Sequence, residues 1–418
     1  MRILFLTETI PFPLDSGGRV KTYHTLQSLA DEHEIHCHAF IRSAAERRHA
    51  GELERHCASL TLHLRPPGPA REAGALALSL ATRTPFTVAR HYFRGVLRRL
   101  VRSCAERRFD AAYYDHLSML AYARRLGLPA IHDAHNVEYD LVRRHAATLP
   151  WSPVRLFVER EWRLLRRYER ARYARCGLIF AVSERDAAAI RSLAGGAPEV
   201  RVVPISIDAR AMAAAGPRPR RPDLLFVGGL HWPPNADAVA HFARDIWPLV
   251  RREAPDATLT VVGRADAPVA QALRRIDGIR LAGHVPDVAP YFERARAFVV
   301  PLRAGGGMRV KILEALARGL PVVSTAIGVE GIDAAHGVHL LVADDPGSFA
   351  RAVSQVVGND GLAAELAAAG RRLVLERYDR SVVGEKLRRD LRECGGQLGR
   401  PTDAEQGRQK SAIRASFD

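Results

Sequence analysis

Residues 297–315 read Ala-Phe-Val-Val-Pro-Leu-Arg-Ala-Gly-Gly-Gly-Met-Arg-Val-Lys-Ile-Leu-Glu-Ala. Ala297–Pro301 is a short apolar run of the kind found in strands buried on both faces. Three glycines follow, and then a helical pattern that stops at Gly319, just before Pro321. Strand, glycine turn and helix in that order make half of a parallel βαβ unit. Glycines at a helix start let backbone N–H groups approach an anion, and the helix dipole favours negative charge there. Arg309 and Lys311, placed in the first turn, can neutralise a diphosphate, and Glu314, one turn on, can accept hydrogen bonds from a ribose diol. Taken alone, Lys311 and Glu314 at i,i+3 read as a surface ion pair; the triple glycine turns the reading toward a nucleotide site.

The same alternation runs through the whole chain. Candidate strands in the first half are Arg2–Leu6, Ile35–Phe40, Leu60–Leu64, Ala111–Tyr114, Pro129–His132, Leu178–Val182 and Val200–Val203. In the second half they are Leu224–Gly228, Thr258–Val262, Ile279–Ala282, Ala297–Pro301, Pro321–Ser324 and His339–Val342. A length of 418 residues predicts two domains. The stretch 209–222, rich in Ala, Pro, Gly and Arg, predicts a linker between a Rossmann-like domain 1–208 and a second one, 223–380. Residues 381–395 read as a charged amphipathic helix returning to the first domain, and 396–418 as a disordered tail. The expected fold class is α/β, with two Rossmann-like domains.

In the first half, Pro11-Phe-Pro-Leu-Asp-Ser-Gly-Gly18 lies between the first strand and a helical pattern at Val20, Tyr23, Leu26 and Leu29. Gly17 and Gly18 are a second place where backbone can approach a phosphate, although the motif is neither a dinucleotide fingerprint nor a Walker loop. His116 follows the strand Ala111–Tyr114, and His135 follows the next strand; each by itself reads as an ordinary loop histidine.

Composition narrows the classes. Hydrophobic residues make up 47% and charged residues 26%, an ordinary globular balance. The five cysteines are scattered and suggest neither zinc nor a disulfide framework, so a reducing compartment is expected. Met1–Leu6 is too short for a signal peptide, and Ala73–Ala81 falls short of the ~20 apolar residues that span a bilayer. A cytoplasmic location, peripheral on the inner face of the plasma membrane, is the expectation. The net charge of +16 is compatible with an arginine-rich codon bias or with a polyanionic partner. Nucleic acid is disfavoured, because base-stacking aromatics are only 7% of the chain. Arg83–Arg108 places eight arginines and one acid among Phe86, Tyr92, Phe93, Val96, Leu97, Leu100 and Val101, which predicts an amphipathic helix able to meet an anionic membrane.

The run Gly305–Ala315 followed by Gly319-Leu-Pro-Val-Val323 resembles the nucleotide-binding segment of glycosyltransferase family 4. Leu14-Asp-Ser-Gly-Gly-Arg19, Asp133-Ala-His-Asn-Val-Glu138, Ala181-Val-Ser-Glu184 and Val202-Val-Pro-Ile-Ser-Ile-Asp208 resemble that family's other motifs. So do Leu225-Phe-Val-Gly-Gly-Leu-His-Trp-Pro-Pro-Asn235 and Gly283-His-Val-Pro-Asp287, in the family's order over roughly residues 1–380. The likeness is greatest to enzymes of exopolysaccharide and surface-glycan synthesis.

The resemblance implies a GT-B fold, two Rossmann-like domains facing each other across a cleft, with a nucleotide-sugar donor held mainly by the second domain, transfer to a glycan or lipid-linked acceptor with retention of configuration, and no metal or other cofactor. It implies a donor site of Gly17, Gly18, Gly229, Arg264, Gly305, Gly306, Gly307, Met308, Arg309, Lys311 and Glu314. His116 and Glu314 take the catalytic positions, while His135, Asn136 and Glu138 face the acceptor or the transferred sugar. Three features depart from the family. Gly306 stands where the first of two paired glutamates is usual. Gly229 and His231 stand where an Arg and a Lys are usual, so Arg309, Lys311 and Arg264 are the substitutes for the diphosphate. Pro204-Ile-Ser-Ile-Asp208 replaces the common Pro-Asn-Gly-Val-Asp. A nucleotide-sugar epimerase on the same fold, or a basic nucleic-acid-binding protein, is the alternative reading. A phosphorylase would need a pyridoxal-bearing lysine, and none of Lys21, Lys311, Lys386 and Lys410 has that context.

Overall fold

The computed structural model describes residues 1–395 apart from 66, 197 and 213–220. The expected tail 396–418 and most of the expected linker 209–222 lie outside the described residues. The chain divides into two compact units, Met1–Ile205 with the stretch from Val383 onward, and Ser206–Val382. The division falls three residues before the expected end of the first domain at 208. Ile207 already pairs with Asp379 of the second unit, through bonds from its N–H to Tyr378 O (2.9 Å) and from Arg380 N–H to Ile207 O (2.8 Å).

The first unit is built on a parallel sheet of β1 (Arg2–Thr7), β2 (Glu34–Ile41), β3 (Ser59–Leu64), β4 (Ala111–Asp115), β5 (Ala130–Ala134), β6 (Leu178–Ala181) and β7 (Glu199–Val202). The spatial order is β3-β2-β1-β4-β5-β6-β7. Alternate side chains leave opposite faces: Ile3 and Phe5 join one core, Leu4 and Leu6 the other. The C-terminal helix Arg380–Gly395 adds Val383, Leu387, Leu391 and Cys394 to the Ile3/Phe5 side.

The second unit repeats the plan with β8 (Asp223–Val227), β9 (Thr258–Val262), β10 (Ile279–Gly283), β11 (Ala297–Val300), β12 (Val322–Ser324) and β13 (Leu341–Val342), in the order β10-β9-β8-β11-β12-β13. In both sheets the strand order reverses once, between β1 and β4 and between β8 and β11. In open α/β sheets ligands bind beyond the carboxyl ends of the strands at such a reversal.

The segment 83–108 differs from its expected single helix. Arg83, at φ 53°, ends the helix Pro69–Thr82; a four-residue helix Phe86–Ala89 follows, and then Arg94–Glu106. Val96, Leu100 and Val101 are buried in the unit's own core, with Tyr92, Phe93 and Leu97 packed against it. The apolar face is therefore internal, and arginine, the face expected to meet lipid head groups, is what this helix turns outward.

Candidate active site

At the first reversal, Asp115 ends β4 with no exposed surface. Four groups converge on its carboxylate: Thr7 Oγ1 (2.6 Å), Thr22 Oγ1 (2.8 Å), His116 Nδ1 (2.8 Å) and His135 Nε2 (2.7 Å). Thr7 ends the neighbouring strand β1, and Thr22 comes from the helix Gly17–Ala30 that follows it. The two imidazoles stack with centroids 3.9 Å apart. His116 holds φ 74° and ψ 149°, a region that only glycine occupies readily. Such strain costs on the order of 1–3 kcal/mol and persists where the surroundings enforce it.

The charges are set by neighbours. Burial disfavours a charged His116, but Asp115 and Glu8 outweigh it and hold its pKa up at about 10. Burial and the charged His116 together lower that of His135. Asp115 lies well below the carboxylate range, because the two imidazoles overcome its burial. Glu8, bonded by Ser118 Oγ at 2.7 Å, is likewise brought down to about 2 against its burial by His116 and His91. The resulting state is one imidazolium beside one neutral imidazole. A neutral His135 that donates through Nε2 leaves Nδ1 as an acceptor, and that atom is buried with no hydrogen-bond partner among the described residues. A Cβ on Gly18 would stand 3.7 Å from it and 3.8 Å from His116 Nε2, so the helix start lies directly against both rings. Asp115, His116 and His135 also bring three metal-capable atoms within 4.8 Å of one another. Their 2.7–2.8 Å separations are those of carboxylate–imidazole hydrogen bonds, which satisfy these atoms without an ion.

Of the other expected residues on this side, Asn136 donates to Glu138 Oε1 at 3.4 Å, and burial raises the Glu138 pKa with help from Glu8. Below the cluster lies a buried ion pair, Lys21 Nζ to Asp133 Oδ1 at 2.9 Å. Asp115, Glu8, Thr7 and Thr22 were not among the sequence candidates. For Thr7, Glu8 and Asp115 the available signal was positional, since they end or directly follow the two strands that flank the reversal; Thr22, inside the helix Gly17–Ala30, carried no such signal.

At the second reversal, the loops after β8, β9 and β11 meet. Gly228 N–H bonds Val262 O at 2.8 Å, and Leu230 N–H bonds Arg264 O at 2.7 Å. Gly263 has φ 151°, and a methyl group there would collide with the Gly228 carbonyl. Lys311 donates to Asn235 Oδ1 at 3.0 Å and lies 4.4 Å over the Phe226 ring. Burial pushes the Lys311 pKa down to about 7, and Arg309 adds to that effect. Lys311 is thus a half-buried amine held at the end of β8 by Asn235, and not the surface partner of Glu314. Glu314 has no hydrogen-bonded or ion-paired partner among the described residues. Burial raises its pKa, against the pull of Arg318 and Lys311. Arg309 stands one residue before the helix Val310–Ala317, and its Nη1 donates to Gly306 O and to Gly307 O (2.6 Å). Its guanidinium therefore organises the glycine loop from within. Met308 is buried, whereas the Arg264 side chain is exposed. The structure gathers Gly229, Arg264, Gly305–Gly307, Arg309, Lys311 and Glu314 in the second unit, and places Gly17 and Gly18 with the histidines of the first.

Two family models match this chain: Glycosyltransferase Family 4 over residues 17–211, and Glycosyl transferases group 1 over residues 221–359. The chain belongs to these glycosyltransferases. Solved structures share the GT-B fold across most of this glycosyltransferase. One is Anabaena HepE in complex with UDP and glucose, with TM-score 0.65, 15% identity and coverage of 94% of this chain and 100% of that one. Another is sucrose-phosphate synthase from Thermosynechococcus elongatus, with TM-score 0.67, 15% identity and coverage of 94% and 98%. A 44.6 kDa protein in the cps region of Klebsiella pneumoniae is 30% identical over 169 residues. That match spans 38% of this chain and 44% of the relative.

Proposed function

We propose that this glycosyltransferase moves a sugar from a nucleoside diphosphate sugar to a glycan or lipid-linked acceptor, with retention of configuration, in the synthesis of a surface polysaccharide. The observation that carries the reading is the meeting, beyond β8, β9 and β11, of close-packed glycine loops with a half-buried lysine and a carboxylate unpartnered among the described residues. Backbone N–H groups of Gly305–Gly307 and the Lys311 ammonium take the diphosphate, and Glu314 accepts from the ribose hydroxyls. Gly229, Arg264 and Met308 stand on the same loops and complete the proposed donor site. The UDP complex of HepE and the cps-region relative support the donor class and the polysaccharide setting.

In the reaction, the bond from the anomeric carbon to the diphosphate breaks, one to the acceptor oxygen forms, and the acceptor hydroxyl's proton passes to the leaving diphosphate oxygen. Negative charge grows on the diphosphate, where Lys311 offsets it, electrostatic work that a divalent cation does elsewhere. Positive charge grows on the sugar ring. A His116 imidazolium cannot stabilise that charge with its ring. Its Nε2–H can donate to a sugar hydroxyl, and its strained main chain can aim a carbonyl at the ring. His135 Nδ1, an open acceptor, suits a second hydroxyl.

Thermal unfolding with a panel of UDP-, GDP- and ADP-sugars tests the donor assignment. A true donor at 100 times its dissociation constant should add about 2.7 kcal/mol. Failure of every nucleotide sugar to stabilise the protein, with no sugar transfer to any acceptor, would overturn the reading.

A further inference from the structure

The helix Pro69–Thr82 is turned inside out. Its inward residues are the small Ala75 and Ser79, whereas Leu76, Leu78 and Leu80 are exposed at 37%, 40% and 57%. A surface helix normally does the reverse. The outward stripe of Ala73, Leu76, Ala77 and Leu80 recurs at three- and four-residue spacing and carries no charge. A second exposed apolar group, Trp151 (77%), Val154 (61%) and Leu156 (51%), opens the helix Pro153–Tyr173. The two elements are joined. Arg160 donates to Ser79 Oγ at 3.2 Å and Ser79 O at 2.9 Å, and Phe86 meets Phe157 edge-on at 6.0 Å. Six of the eleven exposed large apolar side chains among the described residues lie on these two elements.

We propose that this face docks on an anionic lipid bilayer, with Leu76, Leu80, Trp151 and Val154 entering the head-group boundary. Charge selects the occupant. Residues 69–90 and 151–167 hold eight arginines and three glutamates. Glu161 is buried, and Glu72 and Glu159 are already bonded to Arg90 (2.9 Å) and Arg163 (2.8 Å). A second copy of the same face would set arginine against arginine, whereas anionic head groups answer the charge and acyl chains answer the leucines. The uncharged stretch 73–81 is too short to cross a bilayer, and an exposed tryptophan suits the interface. This places the membrane contact away from the helix Arg94–Glu106, whose apolar side chains are internal. The inference stands independently of the glycosyl-transfer reading.

The test uses the full chain with vesicles of equimolar phosphatidylcholine and phosphatidylglycerol, against pure phosphatidylcholine, at low salt. The chain should sediment with the mixed vesicles, and tryptophan emission should shift to the blue. Trp151→Phe should still bind but lose most of that shift. Leu80→Ser with Trp151→Ser and Val154→Ser should cut partitioning by about tenfold or more, with circular dichroism and melting unchanged. Arg94→Glu, Arg98→Glu and Arg102→Glu together should cut it less. If the triple serine variant folds poorly, Trp151→Glu alone, at a site 77% exposed, should still weaken binding several-fold. Three results would each overturn the proposal: no binding to mixed vesicles, equal binding by the serine variant, or a blue shift that persists in Trp151→Phe. Light scattering that shows a wild-type dimer broken by the serine variant, without vesicle binding, would assign the face to a second copy.

Discussion

The two units share a strand order and a reversal point, yet they fill that point with opposite chemistry. Beyond β1 and β4 the first unit gathers charged Asp115, Glu8 and His116 around a neutral His135, with Lys21 and Asp133 buried beneath. Beyond β8 and β11 the second unit offers glycine backbone, with Arg309 spent on the loop's own carbonyls, the half-buried Lys311 held by Asn235, and a Glu314 carboxylate unpartnered among the described residues. A charge network supplies fixed donors and acceptors to a neutral, hydroxyl-rich group. Bare backbone N–H groups with a single cation suit a polyanion. The same scaffold is thus specialised by what stands at its strand ends, and the division predicts unequal responses to mutation.

The largest effect should come from the first unit's foundation. Lys21→Met leaves Asp133 charged and buried, with Tyr113 OH (2.9 Å) as its nearest donor. Loss of one partner from a buried pair costs about 3–5 kcal/mol, to be read in denaturant unfolding. Lys21→Met with Asp133→Leu should recover much of that loss. A Lys21→Met protein as stable as wild type would show that the pair contributes nothing.

Next in size is His116→Gln. It removes the imidazolium but keeps a donor near Asp115. In a transfer assay kcat should drop by about 10²–10³, the range for removing one well-placed donor, with donor affinity changed far less. An equal fall in kcat/KM and nucleotide affinity, with kcat intact, would remove His116 from the reacting sugar.

Most of this architecture was readable, and the reason is physical. Strands buried on both faces write continuous apolar runs, and all thirteen expected strands are found within a residue or two of their expected limits. The first site was less readable because its organising residues break the pattern used to find helices. The helix Gly17–Ala30 was expected to bury Val20, Tyr23, Leu26 and Leu29. It also buries Lys21, Thr22 and Thr25, whose polar groups reach the carboxylates at the strand ends, and Ser28, which bonds back to His24 O of its own helix. No periodicity announces that, since it follows from which strands become neighbours. The segment 83–108 was legible only in part, since its expected single helix is broken at Arg83 and again before Arg94. Arginines among apolar residues look the same whether the apolar face meets lipid or the protein's own core, and only the fold shows that Val96, Leu100 and Val101 face inward. The uncharged 73–81 stretch, too short to span a membrane, lies with its leucines outward.

Glu314→Gln probes the second unit alone. If its carboxylate accepts from a ribose diol, nucleotide affinity should weaken by about 1.5–3 kcal/mol, the range for hydrogen bonds to a charged group. The amide keeps the shape, so the unfolding midpoint should hardly move. Unchanged affinity for every nucleotide, with activity retained, would make Glu314 a bystander.

The smallest effect is the most diagnostic, because it should run in opposite directions for stability and for binding. Burial lowers the Lys311 pKa from 10.5 to about 7. The folded protein without ligand therefore holds fewer protons at this site than the unfolded chain does between those values. Lys311 should accordingly let stability rise with pH across that window. A bound diphosphate favours the ammonium form, so binding takes up a proton and affinity should fall as pH rises through about 7. The slope can reach about 1.4 kcal/mol per pH unit. Titrations between about pH 7.5 and 9 keep clear of the phosphate's own ionisation, near 6. Calorimetry in buffers of different ionisation enthalpy would count the proton. In Lys311→Met the affinity should be weaker and its pH profile flat. A wild-type profile that is already flat, or the same slope in Lys311→Met, would mean that Lys311 does not meet the diphosphate, and would leave the glycine backbone as the whole of the anion site.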